Sequence, residues 1–197
     1  MWTRAGDLLR ENGLRQLWFR ALGELGYRRQ LVTELLLPAD AIVAAPKPAD
    51  SEARFLGDAD LDAYAALHGI SDEASARFAR GERCFGVWLA GKLVSTRWLA
   101  SGTVRLAYVD REAALAPTDV YVHDVYTAPE HRRRGISRFV AAVVPELLAA
   151  EGARRIVGVL EPENRAGIAA NQMAGYRVAG RIGYVKLGPW RRDFGRL

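Results

Sequence analysis

The chain reads as a mixed α/β domain of the α+β kind, one sheet with helices on its faces. Three observations predict this. Ile136, Phe139, Val140, Val143, Val144, Leu147 and Leu148 recur at the spacing of a single helix face. A β-rich run, "TDVYVHDVYT", precedes that stripe, and a second, "ARRIVGVLE", follows it. Strand, helix and strand at this spacing imply parallel strands near residues 120 and 157, joined by a right-handed crossover.

The remaining elements follow in chain order. Residues 1 to 25 read as an amphipathic helix. Leu9, Leu14, Leu17, Trp18, Leu22 and Leu25 lie at near-helical spacing with Arg10, Arg15 and Arg20 among them, and Gly26 is a natural stop. "YRRQLVTELLL" has the composition of a strand, and "PADAIVAAPKPAD" is an irregular link. This divides the chain near residue 50, into a helix-and-linker extension (1–50) and a main domain (51–197). Within the main domain "ARFL" is a short strand. "DADLDAYAAL" and "SDEASARFARG" are helices opened by Asp and Ser. "RCFGVWLAGKLVSTRWLA" is a hairpin turning at Gly91 and Lys92, and "TVRLAYV" is a further strand. Pro145 lies inside the helical stripe and predicts a kink or an early end. "NRAGIAANQMAGY" is a short helix, and "RVAGRIGYVKLG" closes the domain as a strand or hairpin.

Composition narrows the function classes. Half of the 197 residues are hydrophobic and 26% are charged, the profile of a globular protein with a core of its own. Cys84 is the only cysteine, so there is no disulfide framework, and with no secretory signal the expected compartment is the cytoplasm. No apolar run approaches the roughly 20 residues of a membrane span. The formal charge of +5 makes an anionic partner plausible.

Much of that charge concentrates in "TAPEHRRRGISRFV", residues 127–140. Three arginines stand just before a glycine that opens a helix, where cations face the unfavourable end of the helix dipole. A bound polyanion removes the conflict. Uncapped amides at a helix N-terminus, a glycine that admits close approach and arginine donors together make a phosphate site. The Walker pattern and G-x-G-x-x-G are both absent.

Arg132-Arg133-Arg134-Gly135-Ile136-Ser137, with Pro129-Glu130 before it and Asn164 and Gly175-Tyr176 after it, resembles the R/Q-x-x-G-x-G/A motif and context of the GCN5-related N-acetyltransferase (GNAT) superfamily. The resemblance spans roughly residues 53 to 188. It implies a GNAT-like fold and transfer of an acyl group, usually acetyl, from acetyl-CoA as co-substrate to a small-molecule or peptide amine. The amides of Arg134, Gly135, Ile136 and Ser137 would hold the pyrophosphate, and Arg132 and Arg133 would add charge. The motif strand would splay from its parallel neighbour and offer the backbone of Val125 and Thr127 to pantetheine. An amide near Val125 would serve as oxyanion donor, and Asn164 would contact the cofactor at the mouth. Two positions depart from the family pattern. Ser137 replaces Gly or Ala, and Asn171 stands where many relatives carry a Tyr that protonates the leaving thiolate.

An ammonium acceptor must lose a proton before it attacks. His123, on the motif strand, is the leading base, since imidazole ordinarily titrates near neutrality. Strict alternation puts Tyr121, His123 and Val125 on one face and Asp124 on the other, unless a bulge reverses it. Asp124 and Glu161 are rival bases, and Tyr126 and Tyr121 are candidate acids. His131 reads as a solvated loop residue and His68 as a helix cap. Three scattered histidines and one cysteine predict no metal site. A non-catalytic coenzyme A-binding module and a nucleic-acid-binding module are the alternatives. The confinement of the arginines to one turn disfavours nucleic acid. The N-terminal helix has three candidate partners: the domain's own sheet, a second copy in a homodimer, and a membrane surface, with the sheet preferred.

Overall fold

The computed structural model describes residues 22–23, 25–38, 46–70 and 72–197. In chain order the strands are β1 (Tyr27–Leu36), β2 (Ser51–Phe55), β3 (Arg83–Leu89), β4 (Lys92–Ala100), β5 (Thr103–Leu106), β6 (Arg111–Ala114), β7 (Asp119–Thr127), β8 (Arg155–Leu160), β9 (Arg177–Leu187) and β10 (Trp190–Phe194). The helices are α1 (Leu61–His68), α2 (Asp72–Ala79), α3 (Ile136–Ala150) and α4 (Arg165–Met173). Eight strands form one sheet in the order β10-β9-β1-β8-β7-β4-β3-β2, while β5 and β6 pair as a separate ribbon. β7 and β8 are parallel, joined through α3 as the strand–helix–strand pattern predicts, and the other ladders of the sheet are antiparallel.

Two apolar layers cover the sheet. On one face α3 inserts Ile136, Phe139, Val140, Val144 and Leu148 against Leu35, Phe85, Val87, Leu99, Val120 and Ile156. On the other, α1 and α2 cover Cys84, Trp88 and Trp98. The β5–β6 ribbon shares that second face and covers Val32, Tyr121, Val157, Ile182 and Tyr184. Neighbouring residues such as Val120 and Tyr121, or Ile156 and Val157, therefore serve opposite layers, as the pleat requires. Cys84 is a buried thiol, and burial pushes its pKa up to about 12. Trp98 is fully buried and donates from Nε1 to the Tyr64 hydroxyl at 3.2 Å.

Of the two outcomes expected at Pro145, the early end does not occur: α3 runs through it to Ala150. A mid-helix proline costs about 3 kcal/mol. Val144, Pro145 and Leu148 are all buried, and each fully buried aliphatic side chain contributes about 1.5–3 kcal/mol, so packing outweighs the missing hydrogen bond. β1, on the extension side of the boundary expected near residue 50, is an interior strand, laddered to β8 along Leu31–Leu36 and to β9 along Tyr27–Glu34. Its continuous run Leu31–Leu35 is buried, as a strand covered on both faces must be. The helix expected over residues 1–25 lies outside the described residues, apart from Leu22, Gly23 and Leu25.

Gly183 of β9 shows how closely this end of the sheet is packed. A Cβ there would lie 2.1 Å from the Arg28 carbonyl oxygen and 2.7 Å from Phe194 Cζ, whereas one at Gly180 of the same strand meets nothing within 4 Å. Gly183→Ala should therefore cost about 2 kcal/mol of stability and Gly180→Ala less than about 0.5 kcal/mol. Thermal melts of the two variants side by side test this, and equal melting temperatures would refute the close approach.

Candidate active site

The parallel ladder between β7 and β8 is short. It runs from Asp119↔Arg155 to Val122↔Gly158 and stops, although β7 continues to Thr127 and β8 to Leu160. Beyond Val122 the two strands part, and β7 keeps only its ladder to β4, through Trp98↔His123, Thr96↔Tyr126 and Ser95↔Thr127. The register shifts between Thr96 and Trp98, and Asp124 adopts φ +44°. This is a β-bulge, which aims successive side chains in ways strict alternation does not allow. His123 and Asp124 consequently share a face, with His123 Nδ1 3.4 Å from Asp124 Oδ2. Alternation resumes at Val125 and Tyr126. Tyr126 lies 4.9 Å from the His68 ring of α1, and Val125 is 53% exposed beside the gap.

β7 leads directly into the arginine turn. Arg132 Nε donates to the Thr127 carbonyl oxygen at 3.1 Å, folding the turn back on its strand. Arg133 is left-handed, at φ +60°, and Gly135, at φ +78°, is the N-cap of α3. No side chain caps this helix, and no acidic residue lies in its first turn. The first amides of α3 and the three exposed arginines thus present uncompensated positive charge at the mouth of the β7–β8 gap. Ile136 is buried in the core and fixes the helix start, while Ser137 remains exposed.

On the α1–α2 face the bulge assembles a charged cluster. His123 stacks on Tyr121 (centroids 5.3 Å apart, planes 12° apart), and its Nε2 lies 3.1 Å from Glu82 Oε2. Arg77 of α2 lies 2.5 Å from Asp124 Oδ2, also pairs with Glu73, and sits over the Trp98 ring at 4.9 Å. The hydrogen bond from His123, with the Arg77 guanidinium adding to it, lowers the pKa of Asp124 to about 2. Asp124 is thus a fixed anion and a very weak base.

Asn164 is the N-cap of α4, with Oδ1 accepting from the Gly167 amide at 2.8 Å. Asn171 donates from Nδ2 to Thr33 Oγ1 at 3.2 Å, tying α4 to β1. Glu161 directly follows the last residue of β8. Two histidine expectations are corrected. His131 is half-buried, with an enclosed Nδ1 that has no hydrogen-bond partner among the described residues. His68 does not cap its helix, because Gly69 ends α1 in the left-handed conformation. The His68 ring turns inward instead, stacking on Tyr64 at 4.3 Å and meeting Thr96 Oγ1 at 3.0 Å. Glu82, Arg77 and Glu73 were not anticipated. They reach His123 and Asp124 only through the β3–β4–β7 ladder, and no local motif marks them. No group of metal-ligating side chains occurs among the described residues.

A family model described as the acetyltransferase (GNAT) family matches residues 51–176. No protein in the curated set matches the chain. Several solved structures share its fold at low identity. A tandem GNAT protein from the clavulanic acid biosynthesis pathway superposes with TM-score 0.59 at 16% identity, over 82% of this chain and 55% of that one. A GNAT-family acetyltransferase from Colwellia psychrerythraea gives 0.56 at 19%, over 84% and 59%. AAC(6')-Iy, in complex with the bisubstrate analog CoA-S-monomethyl-acetylneamine, gives 0.55 at 16%, over 70% and 97%. The chain thus spans little more than half the length of the first two.

Burial lowers the pKa of His68; Asp124 and Glu73 pull it up and Arg77 pushes it down. The neutral ring is the one that fits the fold. The contribution of His68 to stability is therefore complete above the ordinary histidine value of about 6.5 and fades as pH falls through the lower folded value. Between pH 7 and pH 5 the melting temperature should fall further in the wild type than in His68→Gln. Parallel slopes in the two proteins would contradict the assignment.

Proposed function

Because the chain belongs to the acetyltransferase (GNAT) family, we propose that it moves an acyl group from a coenzyme A thioester, such as acetyl-CoA, directly to a primary amine in a ternary complex. One observation carries this reading: an uncapped helix start ringed by arginines opens onto a strand edge that has left its parallel neighbour. That combination suits a ligand with a diphosphate at one end and a hydrogen-bonding arm at the other. Arg132, Arg133 and the amides of Arg134, Gly135, Ile136 and Ser137 bind the diphosphate. The edge of β7 that β8 leaves, at Val125 and Thr127, takes the pantetheine arm. An amide near Val125 stabilises charge developing on the thioester oxygen. Asn164 contributes at the mouth with the part of its amide not used in capping.

The acceptor approaches from the α1–α2 face. Asp124, held ionised, attracts the ammonium form. A carboxylate of such low pKa is a poor proton acceptor, so His123 takes the proton at Nε2, the nitrogen that faces Glu82, while Nδ1 stays on Asp124. The amine nitrogen then attacks the thioester carbon; a C–N bond forms, the C–S bond breaks, and the thiolate leaves with a proton. Asn171 cannot supply that proton, since its amide is not an acid and is bonded to Thr33. Tyr126 is the acid of this scheme, Tyr121 being buried with its phenol pKa raised. Glu161 is the second candidate for base. No helix among the described residues is long and apolar enough to cross a membrane. We assign the protein to the cytoplasm.

Two variants test the scheme in opposite ways. Gly135→Glu places a carboxylate on the diphosphate site and should abolish coenzyme A binding measured by calorimetry. His123→Ala should keep that binding and lower kcat/KM by about 100-fold or more. Unchanged affinity in Gly135→Glu would remove the diphosphate site. An acidic limb of the pH–rate profile that survives in His123→Ala would move the base to Glu161 or a water.

A further inference from the structure

Among the described residues Arg97 has no counterion. It lies on β4 opposite the bulge, between the pairs Thr96↔Tyr126 and Trp98↔His123, and so at the level of Val125. Its ladder partner on the other side is Phe85, whose side chain belongs to the α3 layer, as does Leu99 two residues on. The Arg97 side chain therefore lies on the α3 side of the sheet, the side of Tyr176. It is only 7% exposed, and its Nε is enclosed with no hydrogen-bond partner. Among the described residues its guanidinium makes no hydrogen bond, ion pair or ring contact.

Other enclosed arginines among the described residues have carboxylate partners. Arg77 has Glu73 and Asp124, Arg155 has Glu34 and Asp119, and Arg29 has Glu163. The ionisable neighbour of Arg97 is Tyr176, itself buried in the same layer with its phenol pKa raised, so it is neutral and compensates nothing. Burying an arginine unpaired is strongly unfavourable, and the fork of a guanidinium is matched by a carboxylate.

We propose that Arg97 is a specificity residue that selects an acyl donor whose acyl chain ends in a carboxylate, of the succinyl or malonyl type. The inference rests on the coenzyme A reading above and narrows its acyl group. The diphosphate is served at the exposed turn by the α3 amides and by Arg132, Arg133 and Arg134. The thioester sits at Val125, and Arg97 lies one strand away at that level, on the sheet face that Val125 shares. An acyl chain continuing inward from the thioester meets the guanidinium. An acetyl methyl offers it nothing, while a terminal carboxylate accepts two parallel N–H bonds and neutralises it.

The test titrates the full chain with acetyl-CoA, butyryl-CoA and succinyl-CoA, butyryl matching succinyl in chain length without the charge. Succinyl-CoA should bind at least tenfold more tightly than either neutral donor and show the highest kcat/KM. Arg97→Met should erase that preference while keeping affinity for acetyl-CoA. Arg97→Lys, which keeps the charge but loses the fork, should retain part of it. The wild-type donor ranking stands even if a variant fails to fold. Equal binding of the three donors by the wild type, or a preference for succinyl-CoA that persists in Arg97→Met, overturns the role of Arg97 and leaves coenzyme A binding intact. Failure to bind any of the three overturns the coenzyme A reading, and this inference with it.

Discussion

The site depends on a ladder that stops. β7 and β8 are hydrogen-bonded neighbours through Val122 and Gly158 and then diverge, which leaves one edge of β7 unpaired in the middle of an eight-stranded sheet. Unpaired strand groups are costly when enclosed and useful when a ligand can pair with them. The bulge at Asp124 is part of the same event. It bends β7 away from β8 and brings His123 and Asp124 onto the face covered by α1 and α2. The gap, the base candidate and the exposed Val125 are thus consequences of one irregularity.

Electrostatics divides the surroundings of that gap by sign. At its mouth, α3 begins without a cap behind three arginines. On the face covered by α1 and α2, Glu73, Glu82 and Asp124 surround Arg77 and His123. Positive charge is thus gathered where α3 begins, and carboxylates on the α1–α2 face. The framework under both is held by ion pairs away from the gap, where Glu34 of β1 binds Arg155 and Arg177, and Arg155 also binds Asp119 at the start of β7. These contacts lock β1, β7, β8 and β9 together near the end of β7 where the parallel ladder is intact.

Local patterns made much of this legible. The helical stripe of α3, the strands around it and the arginine turn are each encoded within about fifteen residues, and all were readable from spacing alone. The position of β1 was not, because an apolar strand has no local mark that says which strands it will join. The early end that Pro145 allowed does not occur for a related reason: the rule against proline in helices is local, and the packing that overrides it is not. Glu82 and Arg77 reach His123 through strand pairing over tens of residues. Arg97 did carry a signal, the one cation in the buried run "LVSTRWL", but its meaning depends on which face it takes and what lies there.

The most direct measurement is a crystal structure of the protein with coenzyme A bound. The diphosphate should lie on the amides of residues 134–137, and the pantetheine arm should run along β7 with hydrogen bonds to the backbone of Val125 and Thr127, β8 remaining apart beyond Val122. Coenzyme A bound elsewhere, or a β7–β8 ladder closed through Thr127 with the arginine turn free of phosphate, would contradict the assignment of the interrupted ladder as the binding site.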